Sequence, residues 1–296
     1  MATLSDASAA QANRKGAALM VGSMTAFTVN DAFMKALGTE WPVFQSLFIR
    51  GIFAIVIMVA LVVILKQWPR RVSRADRLWV GIRTGSEACA AGLFITAIFN
   101  MPLAEATAIL QTLPLTVTLA GALFLGERVG WRRWLAICVG FVGVLLIVQP
   151  GAAGFTIYSL YAVAAVLLIT LRDMAARRMS AQVPSLFAAL IGAAGVMLAG
   201  AIGCTVEVWA PLTPSAAWAL SGAVLTIFIA YFFSVSAMRF GDIGFVAPYR
   251  YTSLVVALIL GYTVFGEVPS PITLLGAGLI AATGLYTLFR ERQVRA

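Results

Sequence analysis

Long apolar runs separated by short polar segments dominate the pattern along the chain. A helix needs about 20 apolar residues to cross a bilayer core, and ten runs approach that length. Because the connections are short, consecutive runs are expected to form antiparallel neighbouring helices. The predicted membrane helices cover residues 16–36, 43–65, 78–100, 104–125, 131–149, 156–175, 184–206, 215–238, 243–265 and 271–289. The pattern therefore predicts an all-α polytopic membrane protein with ten transmembrane helices.

The composition favours the same interpretation. Of the 296 residues, 61% are hydrophobic and 11% are charged, whereas soluble domains carry about 25% charged residues. All seven tryptophans lie at or near predicted helix ends, where the membrane meets water. The first run, residues 16–36, follows Arg14 and Lys15 as in a signal peptide, but it is too long for a cleaved one. We expect a retained first helix after a cytoplasmic tail of residues 1–15.

The positions of the basic residues predict the orientation. A formal net charge of +9 could indicate nucleic-acid binding, but nearly all Lys and Arg lie in alternate connections between the apolar runs. Cytoplasmic loops carry such an excess of positive charge. The alternation therefore predicts that both the N-terminal tail and the C-terminal tail, residues 290–296, are cytoplasmic in a bacterial-type inner membrane. No nucleic-acid partner is expected.

The chain also matches itself weakly when its two halves are aligned. The matched positions pair Thr28 with Thr170, Asp31 with Asp173, Lys35 with Arg177, Pro42 with Pro184, Gln111 with Tyr251, and Gly126-Glu127 with Gly266-Glu267. The halves are residues 16–150 and 151–289, with five predicted helices each. Because five is odd, equivalent helices cross the membrane in opposite directions, which makes the halves an inverted repeat.

Several segments resemble the EamA type of the drug/metabolite transporter superfamily, over nearly the whole chain. They are 108–125 with Leu113-Pro114, the Gly126-Glu127 turn, Arg50 with 51–54, 261–267 and 276–285. Leu254 stands where the second half would repeat Pro114, a departure from the family pattern. Within the superfamily the chain looks most like YddG-type amino-acid exporters.

The resemblance implies a secondary transporter that exports neutral or aromatic amino acids and related small metabolites by alternating access. It implies a central cavity lined by predicted helices 1, 3, 4, 6, 8 and 9, with helices 5 and 10 to the side. The expected partners are a small amphiphilic substrate and the lipid bilayer. Downhill movement, exchange and H+ coupling all remain open, as does the choice between a monomer and a homo-oligomer.

Ionisable residues at membrane depth are costly, so each is a functional candidate. Arg250 follows Pro248 and lies between Tyr249 and Tyr251. Its guanidinium suits a carboxylate, and the flanking rings can offer hydroxyl groups and faces. The alternative is a packing arginine bonded to backbone carbonyls. Arg250 is the leading candidate for substrate contact or gating, with Tyr249 and Tyr251 beside it.

Glu87 follows Arg83 by four residues, so both lie on one helix face. Glu87 could meet a substrate ammonium or exchange a proton, or it could simply neutralise Arg83. Asp31 and Arg50 are expected to neutralise each other between helices, so Asp31, Arg50 and Arg83 are interpreted as structural charges. The remaining binding candidates are polar residues within predicted spans: Asn30, Gln111 and Tyr231.

Other classes of protein fit the sequence less well. A multidrug or cation carrier, or a carrier of another metabolite, would have the same fold. A channel is disfavoured by the short loops and the lack of acidic rings. A membrane-embedded enzyme is suggested only by Phe240-Gly241-Asp242, and no histidine or credible nucleophile–base pair is present. We therefore expect no enzymatic activity, no cofactor and no metal site.

Overall fold

The computed structural model describes residues 2–69, 72–127, 129–151, 155–180, 182–240 and 243–295. Within these ranges the chain is all-helical and contains no strand, as predicted. Its α-helices are α1 (Ala2–Leu37), α2 (Val43–Ile64), α3 (Arg74–Asn100), α4 (Leu103–Leu110), α5 (Leu113–Phe124), α6 (Trp131–Val148), α7 (Ile157–Arg178), α8 (Ser185–Gly203), α9 (Pro214–Phe240), α10 (Ile243–Val246), α11 (Thr252–Phe265) and α12 (Pro271–Arg295). A 3-10 helix, Ala247–Tyr251, joins α10 to α11.

Eight helical segments of the described chain are long and apolar enough to cross a membrane. The first and ninth predicted spans are not among them. Helix α1 has sufficient length, but Asn30 and Asp31 dilute its apolar content. The ninth span is divided by the 3-10 helix, which leaves α11 with 14 residues. The number of ten spans and the orientation of the termini therefore remain predictions.

Helix boundaries differ from the predictions at both termini and within the fourth span. Helix α1 already begins at Ala2 and α12 continues to Arg295, so the segments predicted as tails are helical and continuous with the terminal helices. The fourth span separates into α4 and α5 near Pro114, because proline lacks the N–H that would continue the helical ladder. Five residues used in the predictions lie outside the described residues: Arg70, Arg71, Arg128, Gly241 and Asp242.

The helices pack in a pattern that repeats when the two halves are exchanged. Helix α1 packs against α9, and the equivalent pair is α7 against α3. Helix α2 packs against α8, and α6 against α12, so each of these pairs joins equivalent helices. The contact between α6 and α12 is close at two glycines. A Cβ on Gly143 would lie 2.8 Å from the Gly276 carbonyl oxygen, and one on Gly276 2.6 Å from the Gly143 carbonyl oxygen.

The repeated Gly-Glu turns have the same local structure. Gly126 and Gly266 adopt left-handed φ angles of 67° and 65°, a conformation that glycine adopts without steric cost. The amide of the following residue, in Glu127 and Glu267, then donates to the carbonyl oxygens of Gly121 and Gly261 over 3.1 and 2.8 Å, respectively. These bonds satisfy carbonyls that the end of a helix leaves free. The internal match in sequence is therefore also a match in helix termination.

Residues of the second half complete the start of α2. Pro42 precedes this helix and offers no side-chain cap. The Glu207 carboxylate instead accepts hydrogen bonds from the amides of Phe44 and Gln45, over 3.0 and 3.2 Å. The Gln45 side chain exchanges two hydrogen bonds with the backbone of Ala210, over 2.9 and 2.8 Å. Free N–H groups at the start of α2 are thus satisfied by the connection that precedes α9.

A second carboxylate joins the halves at the same end of the molecule. Glu40, in the connection between α1 and α2, accepts a hydrogen bond from the Thr213 hydroxyl at the start of α9. Hydrogen bonds from the hydroxyls of Ser215 and Thr213 lower the pKa of Glu40 below its ordinary value of 4.5. Hydroxyl donors favour the ionised form of a carboxyl group, so this contact is strongest when Glu40 is charged.

Candidate functional site

A cavity of about 340 Å³ lies between the two halves. Its lining comes from α1, α2, α3, α4, α5, α7, α8, α9, α11 and the 3-10 helix. None of the described lining residues belongs to α6 or α12, the predicted helices 5 and 10, which were expected to stand to the side. The second and seventh predicted helices, α2 and α8, were not expected to contribute. They reach the cavity at Arg50, Gly51 and Ala54 of α2 and at Ala193 and Val196 of α8. The small side chains among them leave space beside the backbone.

Most of the residues predicted from the sequence meet in this cavity. The lining includes Asn30, Asp31, Arg50, Glu87, Gln111, Tyr231 and Arg250. Arg83, Tyr249 and Tyr251 are not part of the lining. Asp31 and Arg50, predicted as structural charges, therefore face the same space as the predicted binding residues.

Glu87 lies between two guanidinium groups. Arg83 Nη1 donates to Glu87 Oε2 over 2.8 Å and to the Ala188 carbonyl oxygen in α8 over 2.7 Å. Arg172 Nη1, from the second half, lies 3.7 Å from Glu87 Oε1. Arg172 also pairs with Asp173 over 2.8 Å. The predicted neutralisation of Glu87 by Arg83 is thus present, and a second arginine joins it.

Arg172 is a cavity residue that the sequence interpretation missed. It was grouped with the basic residues of a cytoplasmic connection, although the predicted sixth helix, 156–175, already contained it. The available signal was the one used for the other arginines, namely a charge inside an apolar run.

Asp31 and Arg50 face the cavity without forming the expected pair. Arg50 Nη1 donates instead to Asn30 Oδ1 over 3.0 Å, and Asn30 Nδ2 donates to the Ala223 carbonyl oxygen in α9 over 2.7 Å. Asn30 is 1% exposed, so this chain of bonds holds the guanidinium firmly. No basic group of the described chain lies within 4.0 Å of the Asp31 carboxylate. The Asp31 carboxyl group and the Arg50 guanidinium therefore both face the cavity without a direct ion pair between them.

Arg250 also faces the cavity without a carboxylate of the described chain within 4.0 Å. The two tyrosines beside it point elsewhere, because successive residues of a 3-10 helix project about 120° apart. Tyr249 packs against Phe245 with ring centroids 5.9 Å apart. Tyr251 is 7% exposed and donates its hydroxyl to the Gln111 carbonyl oxygen over 3.3 Å. The predicted Arg–Tyr cluster is therefore reduced to Arg250 at the cavity surface.

The interruptions of the fourth and ninth predicted spans satisfy each other. The Gln111 carbonyl oxygen between α4 and α5 accepts the Tyr251 hydroxyl, and Gln111 Nε2 donates to the Arg250 carbonyl oxygen over 3.0 Å. Gln111 Nε2 also donates to the Ser253 hydroxyl oxygen. Non-helical backbone at membrane depth occurs where it is buried in protein or lines a cavity. Discontinuous helices at a repeat interface are typical of transporter binding sites.

The rest of the cavity wall is largely apolar and partly aromatic. Phe27 and Tyr231 contact edge to face with ring centroids 5.5 Å apart, and Phe94 lines the α3 side. Within the described ranges, no three His, Cys, Asp or Glu side chains are grouped so that they could hold a metal ion. The site thus combines a few fixed charges with walls suited to an apolar or aromatic group.

Comparisons with known proteins agree with this architecture. A family model described as the EamA-like transporter family matches residues 14–149 and 156–289, which confirms a repeat of two such units. A solved structure titled "Crystal structure of protein" matches with a TM-score of 0.58 and 20% identity, over 97% of this chain and 98% of that one. This likeness concerns the fold.

Similar proteins are named for several solutes. An S-adenosylmethionine uptake transporter of Rickettsia conorii is 28% identical over 92% of this chain and 91% of its own length. A riboflavin transporter of Rhizobium johnstonii is 30% identical over 70% of this chain and 67% of its own. The pseudopaline exporter CntI of Pseudomonas aeruginosa is 26% identical over 90% and 93%, respectively. These names do not support the narrower resemblance to YddG-type amino-acid exporters.

Proposed function

Because the chain belongs to the EamA-like transporter family and is a multi-pass membrane protein, we propose that it moves a small zwitterionic solute of the amino-acid type. The solute would cross through the central cavity by alternating access. One observation carries the proposed substrate class: Asp31, Arg50 and Arg250 face one cavity, and no ion pair within the described chain neutralises them.

Charges at membrane depth are costly unless opposite charges compensate them. An amino acid supplies both kinds of counter-charge. Its ammonium suits Asp31, and its carboxylate can accept paired hydrogen bonds from a guanidinium, that of Arg50 or Arg250. Phe27 and Phe94 suit an apolar or aromatic side chain. The cavity volume lies near the lower end of the range for small-molecule sites, about 300–1,000 Å³.

The names of the relatives are compatible with this proposal to different degrees. S-Adenosylmethionine contains the amino and carboxyl groups of methionine, which the same three charges would accept. Riboflavin has neither group, so it would leave these charges uncompensated. A purely cationic drug, the second candidate, suits Asp31 and Glu87 but meets three lining arginines, Arg50, Arg172 and Arg250. The cavity therefore favours a solute that carries a carboxylate.

We further propose ten spans in two inverted halves, both termini in the cytoplasm of an inner membrane, and export as the net direction in the cell. Support for the orientation comes from the basic connections, and support for export comes from one relative, which is named as a pseudopaline exporter. Glu87 is the candidate for H+ coupling. If Glu87→Gln keeps the pH response of transport, that role is excluded.

The test is counterflow in proteoliposomes containing the purified full chain. Phenylalanine, S-adenosylmethionine and riboflavin are each supplied as labelled solute and as competitor. We expect accelerated uptake for the two solutes with an amino-acid group, and loss of that uptake in Asp31→Asn and Arg250→Gln. The matched control is Glu40→Gln, which removes a carboxyl outside the cavity. Riboflavin counterflow without competition by either amino acid, or unchanged kinetics in both cavity variants, would contradict the proposal.

A further inference from the structure

Two ion pairs link the halves at positions that correspond in the repeat. Lys35 Nζ lies 3.0 Å from Glu267 Oε1, and Arg177 Nη1 lies 2.7 Å from Glu127 Oε1. Lys35 corresponds to Arg177, and Glu127 corresponds to Glu267. Each pair therefore joins the first helix of one half to the Gly-Glu turn of the other. Exchange of the two halves converts one pair into the other.

Helix α3 shows that the pairs lie at opposite ends of the molecule. Lys35 Nζ also donates to the carbonyl oxygens of Ile98 and Met101, at the end of α3. Arg178, the neighbour of Arg177, lies over the ring of Trp79 at 5.8 Å, near the start of α3. A helix of 27 residues is about 40 Å long. The cavity residues of α3, from Glu87 to Ile95, lie between these ends.

The surroundings of the two pairs differ strongly. The side chains of Lys35 and Glu267 are 12% and 16% exposed. Besides its two carbonyl contacts, over 2.9 and 2.6 Å, this pair includes a hydrogen bond from the Leu103 amide to Glu267 Oε2 over 2.8 Å. The pair therefore holds α1, the α3–α4 connection and the end of α11 together.

The second pair is open to water. The side chains of Arg177 and Glu127 are 44% and 47% exposed. The adjacent contact, from Arg178 Nη2 to the Phe124 carbonyl oxygen, measures 3.3 Å and is also exposed. Exposed ion pairs contribute little to stability. This ion pair therefore holds α7 to the Gly126-Glu127 turn only weakly.

We propose that the two pairs are equivalent latches at the two ends of the cavity, and that transport alternates which of them is buried. This inference rests on the proposed alternating access. In the present conformation both pairs are formed, but Lys35–Glu267 is largely buried and Arg177–Glu127 is exposed to solvent. When the cavity opens at the Lys35 end, that pair takes up water and Arg177–Glu127 becomes buried. Because burial is lost at one end and gained at the other, the two conformations stay close in energy, as an alternating carrier requires.

The experiment measures the two ends separately in the full chain without solute, with the native cysteines replaced. One pair of spin labels is placed on Thr39 and Val268, and a second pair on Arg132 and Gln182, all exposed positions. Glu267→Gln should increase about tenfold the fraction of molecules in which the Thr39–Val268 distance is longer. A change of this size is expected when a charge-assisted hydrogen bond is weakened. The matched control is Glu127→Gln, the same change at the equivalent residue. Glu127→Gln should instead lower the fraction of molecules with the longer Thr39–Val268 distance.

Two further variants show whether the distance change comes from the lost ion pair or from misfolding. A transport measurement separates this inference from the proposed substrate. Lys35→Gln breaks the same pair but leaves the Leu103 amide its acceptor, so it should act as Glu267→Gln does. Lys35→Arg keeps the cation and should leave the Thr39–Val268 distance as in the wild type. Distances unchanged in both Glu267→Gln and Lys35→Gln, or shifted in the same direction by Glu127→Gln, would overturn the proposal. If Glu267→Gln and Glu127→Gln shift the distances in opposite directions but the protein transports no amino acid, the latches would be supported and the proposed substrate class would be rejected.

Discussion

The contact of Glu87 with two arginines permits a quantitative prediction about stability. Glu87→Gln keeps the shape of the side chain and one acceptor oxygen but removes the negative charge. Arg83 and Arg172 then lose the counter-charge that they share. The side chains of Arg83 and Glu87 are 12% and 20% exposed, so solvent compensates this loss incompletely. The variant is therefore expected to fold but to unfold more readily.

The magnitude follows from the bonds that remain. A hydrogen bond to a charged group contributes about 1.5–3 kcal/mol. Arg83 keeps the Ala188 carbonyl oxygen and Arg172 keeps Asp173, which limits the loss. We expect Glu87→Gln to lower the free energy of unfolding by about 2 kcal/mol, and Arg83→Met to lower it by a similar amount. In the double variant the two effects should fall short of additivity by about 1 kcal/mol.

The assay is a double-mutant cycle in detergent micelles, with unfolding by denaturant followed by tryptophan fluorescence. The matched control is the exposed pair Arg177–Glu127, varied in the same way with Arg177→Met and Glu127→Gln. Its coupling should lie between about 0 and 1 kcal/mol. The reasoning is refuted if the coupling of Arg83 with Glu87 is no larger than that of the exposed pair. It is also refuted if Glu87→Gln stabilises the chain.

Three further predictions concern contacts between the halves. Gly143→Leu should separate α6 from α12, because its side chain would overlap the Gly276 carbonyl group, and should lower the melting temperature and the folded yield. Glu207→Ala should destabilise the start of α2 by about 1–2 kcal/mol, since the Phe44 amide loses its cap, as measured by denaturant unfolding. Because the pKa of Glu40 is lower in the folded chain, its stabilising contact should persist at neutral pH and be lost as the pH falls below 4.5; melting temperatures of the wild type and Glu40→Gln should then converge.

Different outcomes would contradict these three predictions. An unchanged melting temperature in Gly143→Leu would mean that α6 and α12 are farther apart than described. For Glu207→Ala, hydrogen exchange of the first α2 amides as slow as in the wild type would remove the capping role. A difference between wild type and Glu40→Gln that stays constant down to pH 3 would show that the charge of Glu40 is irrelevant to that contact.

Features of the fold that depend on local pattern were predictable from the sequence. Apolar runs located the helices to within a few residues over most of the chain, and the matched Gly-Glu turns indicated a repeat. Single prolines carried less information. Pro114 and Pro248 were both noticed, but the sequence does not show whether a proline bends a helix or breaks it. The answer depends on whether a neighbouring segment can take the released carbonyl, as Gln111 does for Arg250.

The composition of the site was more predictable than its pairing. A charge within an apolar run has few stable positions other than an internal cavity, and Glu87 and Arg250 both line the cavity. Which charges pair depends on distances of a few ångströms between helices. The sequence could not show that Asn30, rather than Asp31, accepts from Arg50. Nor could it show that Tyr249 and Tyr251 turn away from the cavity, because this requires the 3-10 geometry.

The reciprocal bonds at the two interrupted spans also affect the order of events during biosynthesis. The first half enters the bilayer before residues 243–265 have been made, so the Gln111 carbonyl then lacks the Tyr251 hydroxyl that it accepts in the finished protein. A free carbonyl in a hydrocarbon interior costs several kcal/mol. The fourth segment is therefore expected to stay hydrated or shielded by the insertion machinery until the ninth segment arrives. A chain truncated before residue 243 lacks Tyr251 and therefore keeps this free carbonyl permanently.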